Sequence, residues 1–201
     1  MNKFLRLFCT SFVIISATLL FSACSLKKEE TNPLPMNQDD QNQVTPNISP
    51  TNTGISQDET IVGLNTKYGQ IVIKLYQKEA PNTVANFLKK VESGAYNGLT
   101  FHRVEPGFVV QGGDPAGNGT GGGTQTSEIN TLPFKRGSVG LARGPIKENS
   151  NDSQFYICLS DESCSHLTGE YVNFGEVITG MEFVDSIRVG DKIIDLSSHT
   201  K

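Results

Sequence analysis

Beyond residue 59 the apolar positions come in short runs broken by turn residues. Ile61-Val62-Gly63-Leu64-Asn65-Thr66 and Gln70-Ile71-Val72-Ile73-Lys74-Leu75-Tyr76 are rich in β-formers and are separated by Lys67-Tyr68-Gly69, which predicts two strands and a short hairpin. The period then changes. Val84, Phe87, Leu88 and Val91 recur at i, i+3, i+4 and i+7, so the stretch from Ala80 to Gly94 is a helix with one buried stripe. Pro81 suits its first turn, two lysines complement its C-terminal end, and Gly94 suits a left-handed cap. Apolar runs resume at 99–104, 107–111, 137–143, 154–160, 171–178 and 193–196, while a glycine-rich loop fills 112–123. Thr179-Gly180-Met181-Glu182 has the spacing of a capping box and opens a second helix through Val184 and Ile187. The expectation is a mainly β (α+β) domain: a closed eight-stranded antiparallel β-barrel capped by two α-helices, since closure removes exposed strand edges.

The beginning of the chain reads differently. Lys3 and Arg6 precede an uncharged, mostly apolar run from Leu7 to Leu20, and Phe21-Ser22-Ala23-Cys24 places small residues before a cysteine. That order is an export signal, and it resembles a bacterial lipobox, cut before a cysteine whose thiol takes a lipid. Residues 1–23 are therefore expected to be a lipoprotein signal peptide, with Cys24 lipidated. An uncleaved helix over Leu7–Leu26 is the competing reading, diluted by Ser and Thr. Residues 24–58 are rich in Asn, Gln, Thr and Pro and hold too few large apolar residues to offset ordering entropy, so they read as a disordered linker. Its root-mean-square span is about 30 Å, which supplies reach and no chemistry. The expected address is the cell membrane, lipid-anchored and facing outside the cytoplasm. Residues 59–201 then form one domain.

Charge and cysteines narrow the function. Seventeen Lys and Arg against 21 Asp and Glu give no basic footprint, so nucleic acid is a poor partner. Cys9 is lost with the signal and Cys24 is lipidated, leaving Cys158 and Cys164 with no zinc spacing; no metal and no cofactor are expected. An oxidising compartment permits a bridge between those two, but Cys158 lies in an apolar run and is expected as a buried thiol. The glycine tract lacks the Gly-Lys-Ser/Thr of a phosphate loop and reads as a flexible rim.

Three ordered blocks carry a family resemblance: Phe101-His102-Arg103-Val104-Glu105-Pro106-Gly107-Phe108-Val109-Val110-Gln111-Gly112-Gly113-Asp114, then Asn151-Asp152-Ser153-Gln154-Phe155-Tyr156-Ile157-Cys158, then Leu167-Thr168-Gly169-Glu170-Tyr171-Val172-Asn173-Phe174-Gly175. They resemble cyclophilins, peptidyl-prolyl cis/trans isomerases, and the likeness runs from about Glu59 to the C-terminus. It implies a catalytic set of Arg103, Phe108 and Gln111. It also implies substrate contacts from His102, Val109, Ala142, Arg143, Gln154, Phe155, Tyr156, His166, Leu167 and Tyr171. The implied partners are proline-containing segments of unfolded or exported proteins, and a monomer is the default.

The chemistry fits those residue types. An X-Pro bond rotates across a barrier of about 18–20 kcal/mol because the nitrogen lone pair is delocalised into the carbonyl. A permanently charged guanidinium, here Arg103, can favour the twisted bond, while an apolar pocket holds the ring. No proton has to move, so His102 is assigned a hydrogen bond near the pocket floor rather than general-base work. The sequence departs from animal cyclophilins at Val109, Arg143, Tyr156, His166 and Tyr171. His166 replaces the tryptophan of cyclosporin-binding members, so weak cyclosporin binding is expected.

Overall fold

A computed structural model describes residues 59–200; the signal peptide, Cys24 and the linker of the sequence reading lie outside the described residues. Strands β1 (Thr60–Thr66) and β2 (Gly69–Leu75) pair in register from Thr60↔Leu75 to Thr66↔Gly69, so Lys67 and Tyr68 alone make the turn. Their alternate residues Val62, Leu64, Ile71, Ile73 and Leu75 are buried, as the pleat requires of a strand with one face inward.

Helix α1 (Pro81–Glu92) has Pro81 in its first turn and buries Thr83, Val84, Phe87 and Val91. Ala80 offers no capping side chain. The Glu128 carboxylate supplies the cap from 46 residues away, accepting the Asn82 N–H at 3.0 Å and the Thr83 N–H at 2.7 Å. Gly94, at φ 70°, turns the chain out of the helix with its N–H on Val91 O.

The remaining elements follow as β3 (Arg103–Glu105), β4 (Val109–Gly112), β5 (Thr124–Thr126), β6 (Ser138–Arg143), β7 (Asn149–Cys158), α2 (Asp161–Cys164), a 3-10 turn (Ser165–Leu167), β8 (Asn173–Thr179), α3 (Met181–Ser186) and β9 (Asp195–Thr200). The antiparallel sheet runs β3-β4-β7-β6-β8-β2-β1-β9, with β5 paired to the far end of β7. Eight strands in one curled path match the expected architecture, but the sheet is a half-barrel rather than a closed one. β3 and β9 share no ladder. The segments before them meet instead around a single Thr100↔Lys192 bridge, with Phe101 N–H on Asp191 O and Ile193 N–H on Leu99 O, both at 2.8 Å. That commitment of Ile193 also explains why the last strand starts at Asp195 and not at Ile193.

Other departures have local causes. β5 arises at the end of the glycine tract because β7, longer than its apolar run, extends back to Asn149 and offers Asn149–Asn151 for pairing. α2 is a third helix, capped by Ser160, whose hydroxyl accepts the Ser163 N–H at 3.3 Å. The capping box at Thr179 does not form: Thr179 ends β8, and Gly180 at φ 91° starts α3 without a side-chain cap. Cys158 and Cys164 are bridged, not free. The α2 turn folds back over the end of β7, brings the two Cα atoms to 6.2 Å and buries both sulfurs.

Two apolar clusters lie on opposite faces of β7. Phe155 and Ile157 point into the main core, where Phe87, Tyr96, Phe155 and Phe174 pack with ring centroids 5.2–5.7 Å apart. Tyr156 and Cys158 point the other way, into a smaller cluster with Val109, Phe134, Cys164 and Leu167, against which Phe108 and Tyr171 rest.

Candidate active site

Strand register builds the site. Arg103 pairs with Gln111, Gln111 with Tyr156 and Tyr156 with Gly140, so four neighbouring strands line up one row of side chains on the outer face of the half-barrel. Gly140 is required in that row: a Cβ there would lie 2.5 Å from the Tyr156 ring and hydroxyl. Over the row lies a groove of about 290 Å³.

One end of the groove is polar. Arg103 donates from Nε and Nη2 to Glu105 Oε1 (2.9 and 2.6 Å) and from Nη1 to Gln111 Oε1 (3.0 Å). Three of the five guanidinium hydrogens are thereby used, and two stay without a partner among the described residues. Gln111 Nε2 in turn donates to Gln154 Oε1 at 2.9 Å, within the protein. The other end is apolar. Phe108 follows the β3–β4 turn, its ring centroid 5.8 Å from the Arg103 guanidinium carbon, and His166 stacks on it at 5.7 Å and 26°. Val109, Leu167 and Tyr156 form the floor, buried to 1%, 5% and 4% exposure, which makes this an apolar slot beside a charge.

Ala142, Arg143 and Tyr171 close the third side. A register shift between Leu141 and Arg143 lets both Ala142 and Arg143 face the groove. Arg143 is held over the Tyr171 ring, its guanidinium carbon 4.5 Å from the centroid, with Nε donating to Glu170 O and Nη1 to Gly144 O. Burial foremost pushes the Tyr156 phenol well above its ordinary pKa, so it is neutral, and its hydroxyl has no hydrogen-bond partner among the described residues. A second depression of about 310 Å³ continues from Gln111 past Ala142 and Arg143 to Ile146, Asn151 and Gln154.

A family model, cyclophilin type peptidyl-prolyl cis-trans isomerase/CLD, matches residues 61–197. The chain belongs to this family. It is 42% identical to a peptidyl-prolyl cis-trans isomerase of Synechococcus elongatus over 66% of this chain and 92% of that protein. Peptidyl-prolyl cis-trans isomerase B of Bacillus subtilis is 43% identical over 61% of this chain and 85% of that protein. Among solved structures, a cyclophilin-type isomerase of Cryptosporidium parvum superposes with TM-score 0.65 at 33% identity, covering 71% of this chain and 99% of that one. A second structure of that isomerase was determined in the presence of the dipeptide Ala-Pro (TM-score 0.64). The chain is thus a cyclophilin-type peptidyl-prolyl cis-trans isomerase.

Two residues expected at the site of this isomerase stand elsewhere. Phe155 is fully buried in the main core, because successive residues of a strand face opposite ways and its neighbours Gln154 and Tyr156 take the groove side. His102 precedes Arg103 and faces away for the same reason. It lines neither depression and lies under the glycine loop near Gly119, with both ring nitrogens lacking partners among the described residues. Burial foremost lowers its pKa, outweighing the pull of Asp114, which leaves the imidazole neutral at pH 7. Glu105 was not expected at the site. Its i+2 spacing from Arg103 on a strand was the signal that could have found it.

Proposed function

We propose that this isomerase twists X-Pro bonds by pressing the Arg103 guanidinium against the imide while the proline ring sits on Phe108, Val109, Tyr156 and Leu167. Twisting localises the lone pair on nitrogen, and a fixed donor of positive charge stabilises that state more than the planar amide. Speeding a tens-of-seconds event to milliseconds takes about four decades, or roughly 5–6 kcal/mol of differential stabilisation. A charge held in place by Glu105 and Gln111 needs no reorganisation when the bond twists, which is how one group can supply much of that. The supporting observation is the pair of unused guanidinium hydrogens beside the Phe108 ring. Gln111, Ala142, Arg143 and Gln154 would hold the residues preceding proline.

The substrates in this reading are proline-containing segments of exported proteins that emerge unfolded, and the domain works as a monomer held at the membrane by the lipid on Cys24. The basic n-region, apolar run and lipobox-like Phe21-Ser22-Ala23-Cys24 support the address. Cyclosporin should bind weakly, with an imidazole at 166 in place of an indole donor. The deciding experiment is Arg103→Ala. Its isomerisation rate on a proline peptide should fall at least about ten-fold with the thermal midpoint nearly unchanged, as for an interaction made in the transition state. Wild-type activity in that variant would overturn the role of Arg103.

A further inference from the structure

A directed chain of hydrogen bonds reaches the Arg103 guanidinium from the glycine loop. Gln154 Nε2 donates to Gly119 O at 3.1 Å and to Gly121 O at 2.8 Å; Gln154 Oε1 accepts from Gln111 Nε2 at 2.9 Å; Gln111 Oε1 accepts from Arg103 at 3.0 Å. The polarity of this chain is forced at both ends. A carbonyl can only accept and a guanidinium can only donate, so each intervening amide has one permissible orientation. Flipping either amide would set donor against donor at Arg103 or acceptor against acceptor at the loop.

The loop that offers those carbonyls has no regular ladder from Gly113 to Gly123, and glycines cannot order it by side-chain packing. Asp114 does so. Its side chain is fully buried, and Oδ1 accepts the Ala116 N–H at 2.9 Å while Oδ2 accepts those of Asn118 at 2.9 Å and Gly119 at 2.5 Å. Gly121 packs directly on this carboxylate, where a Cβ would overlap Oδ1. Burial alone would favour the protonated acid, but the three N–H groups, with His102 nearby, outweigh it and lower the pKa, so the carboxylate stays charged and keeps all its acceptors.

We propose that Asp114 is a positioning residue for the isomerisation: by gathering the loop's N–H groups it fixes the Gly119 and Gly121 carbonyls that orient Gln154, hence Gln111, hence the guanidinium. Asp114 lines neither depression over the site, so it acts on the guanidinium from a distance, through this relay. The inference rests on the reading of Arg103 as the donor to the imide.

The test is a double-mutant cycle on the full-length chain in detergent, read by kcat and KM on a proline peptide and by thermal unfolding. Asp114→Asn keeps size but sets an amide donor against the loop N–H groups. Its kcat should fall about ten-fold and by more than KM rises, because the apolar slot is untouched and only the peptide contacts of Gln111 and Gln154 are loosened along with the guanidinium. Gln154→Met cuts the relay at its middle and leaves Asp114 and its loop bonds in place. In the double variant the two losses should not multiply, since one residue acts through the other. Losses that multiply, or a wild-type kcat in Asp114→Asn, overturn the proposal. If Asp114→Asn does not fold, Gly121→Ala, which crowds the same carboxylate, takes its place in the cycle with the same two outcomes. Arg103→Ala is measured alongside. Full activity there defeats the proposed chemistry itself, whereas an impaired Arg103→Ala beside an unaffected Asp114→Asn defeats only the assignment of Asp114.

Discussion

Phe155 and Tyr156 are adjacent on β7, yet substitutions at them should report on different properties. Phe155 packs edge-on against Phe87 and Tyr96 at 5.7 Å in the main core, so Phe155→Ala should cost about 3–5 kcal/mol of stability, measured by denaturant unfolding. Arg103→Ala, at a half-exposed side chain, should do the reverse and spare stability while removing turnover. Tyr156 carries a buried hydroxyl with no partner among the described residues. Tyr156→Phe removes that group and keeps the ring, so stability should hold or rise by up to about 1–2 kcal/mol with activity retained. A clear loss of stability in that variant would mean that the hydroxyl is satisfied in solution. The motif around residues 151–158 shows that these aromatic residues belong together but not which way each faces. Strand parity decides that, and parity depends on where β7 begins.

Short elements around the groove depend on partners far away in sequence. Helix α1 is capped by Glu128, whose carboxylate is destabilised first by burial but held below its ordinary pKa of 4.5 by the N–H groups of Thr83 and Asn82. A depressed carboxylate pKa stabilises the fold fully above the unfolded value. The contribution fades as pH drops below 4.5 and through the lower folded pKa. Glu128→Gln should therefore lower the thermal midpoint at neutral pH, by the equivalent of about 1 kcal/mol, and the gap to the parent protein should close in acid. A gap that stays constant with pH would sink the capping role. The Cys158–Cys164 bridge pins α2 and the following turn, which carries His166 and Leu167, onto the end of β7. Its six-residue separation closes a short loop, so replacing both cysteines with alanine should cost about 2 kcal/mol of stability. The same change should weaken peptide binding more than Arg103→Ala does, because it loosens the wall of the apolar slot. Titration with a proline peptide separates the two effects.

At the scale of the whole molecule, Cys24→Ser should release the chain from the membrane fraction while leaving peptide turnover unchanged, a result readable by fractionation and assay. Mass spectrometry of the mature N-terminus should show Cys24 first and acylated; an unmodified Met1 would sink the lipoprotein reading. Most of the folded domain was legible in the sequence. The β1–β2 hairpin and α1 follow from local periodicity, because a strand or helix with one buried face writes its period into the chain. The seam of the half-barrel was not legible, nor was the pairing of β5 with the start of β7, nor the cap that Glu128 lends to α1. Each joins segments whose own patterns are polar or glycine-rich. The sequence by itself determined the family and put Arg103, Phe108, Gln111 and Tyr156 in the blocks that identify it, but it set Phe155 and His102 beside them and passed over Glu105. Only the tertiary structure decided their arrangement, because the row from Arg103 through Gln111 and Tyr156 to Gly140 is set by the register of four strands. Register is a property of pairing between distant segments, and a one-residue slip would turn every side chain of a strand to its other face.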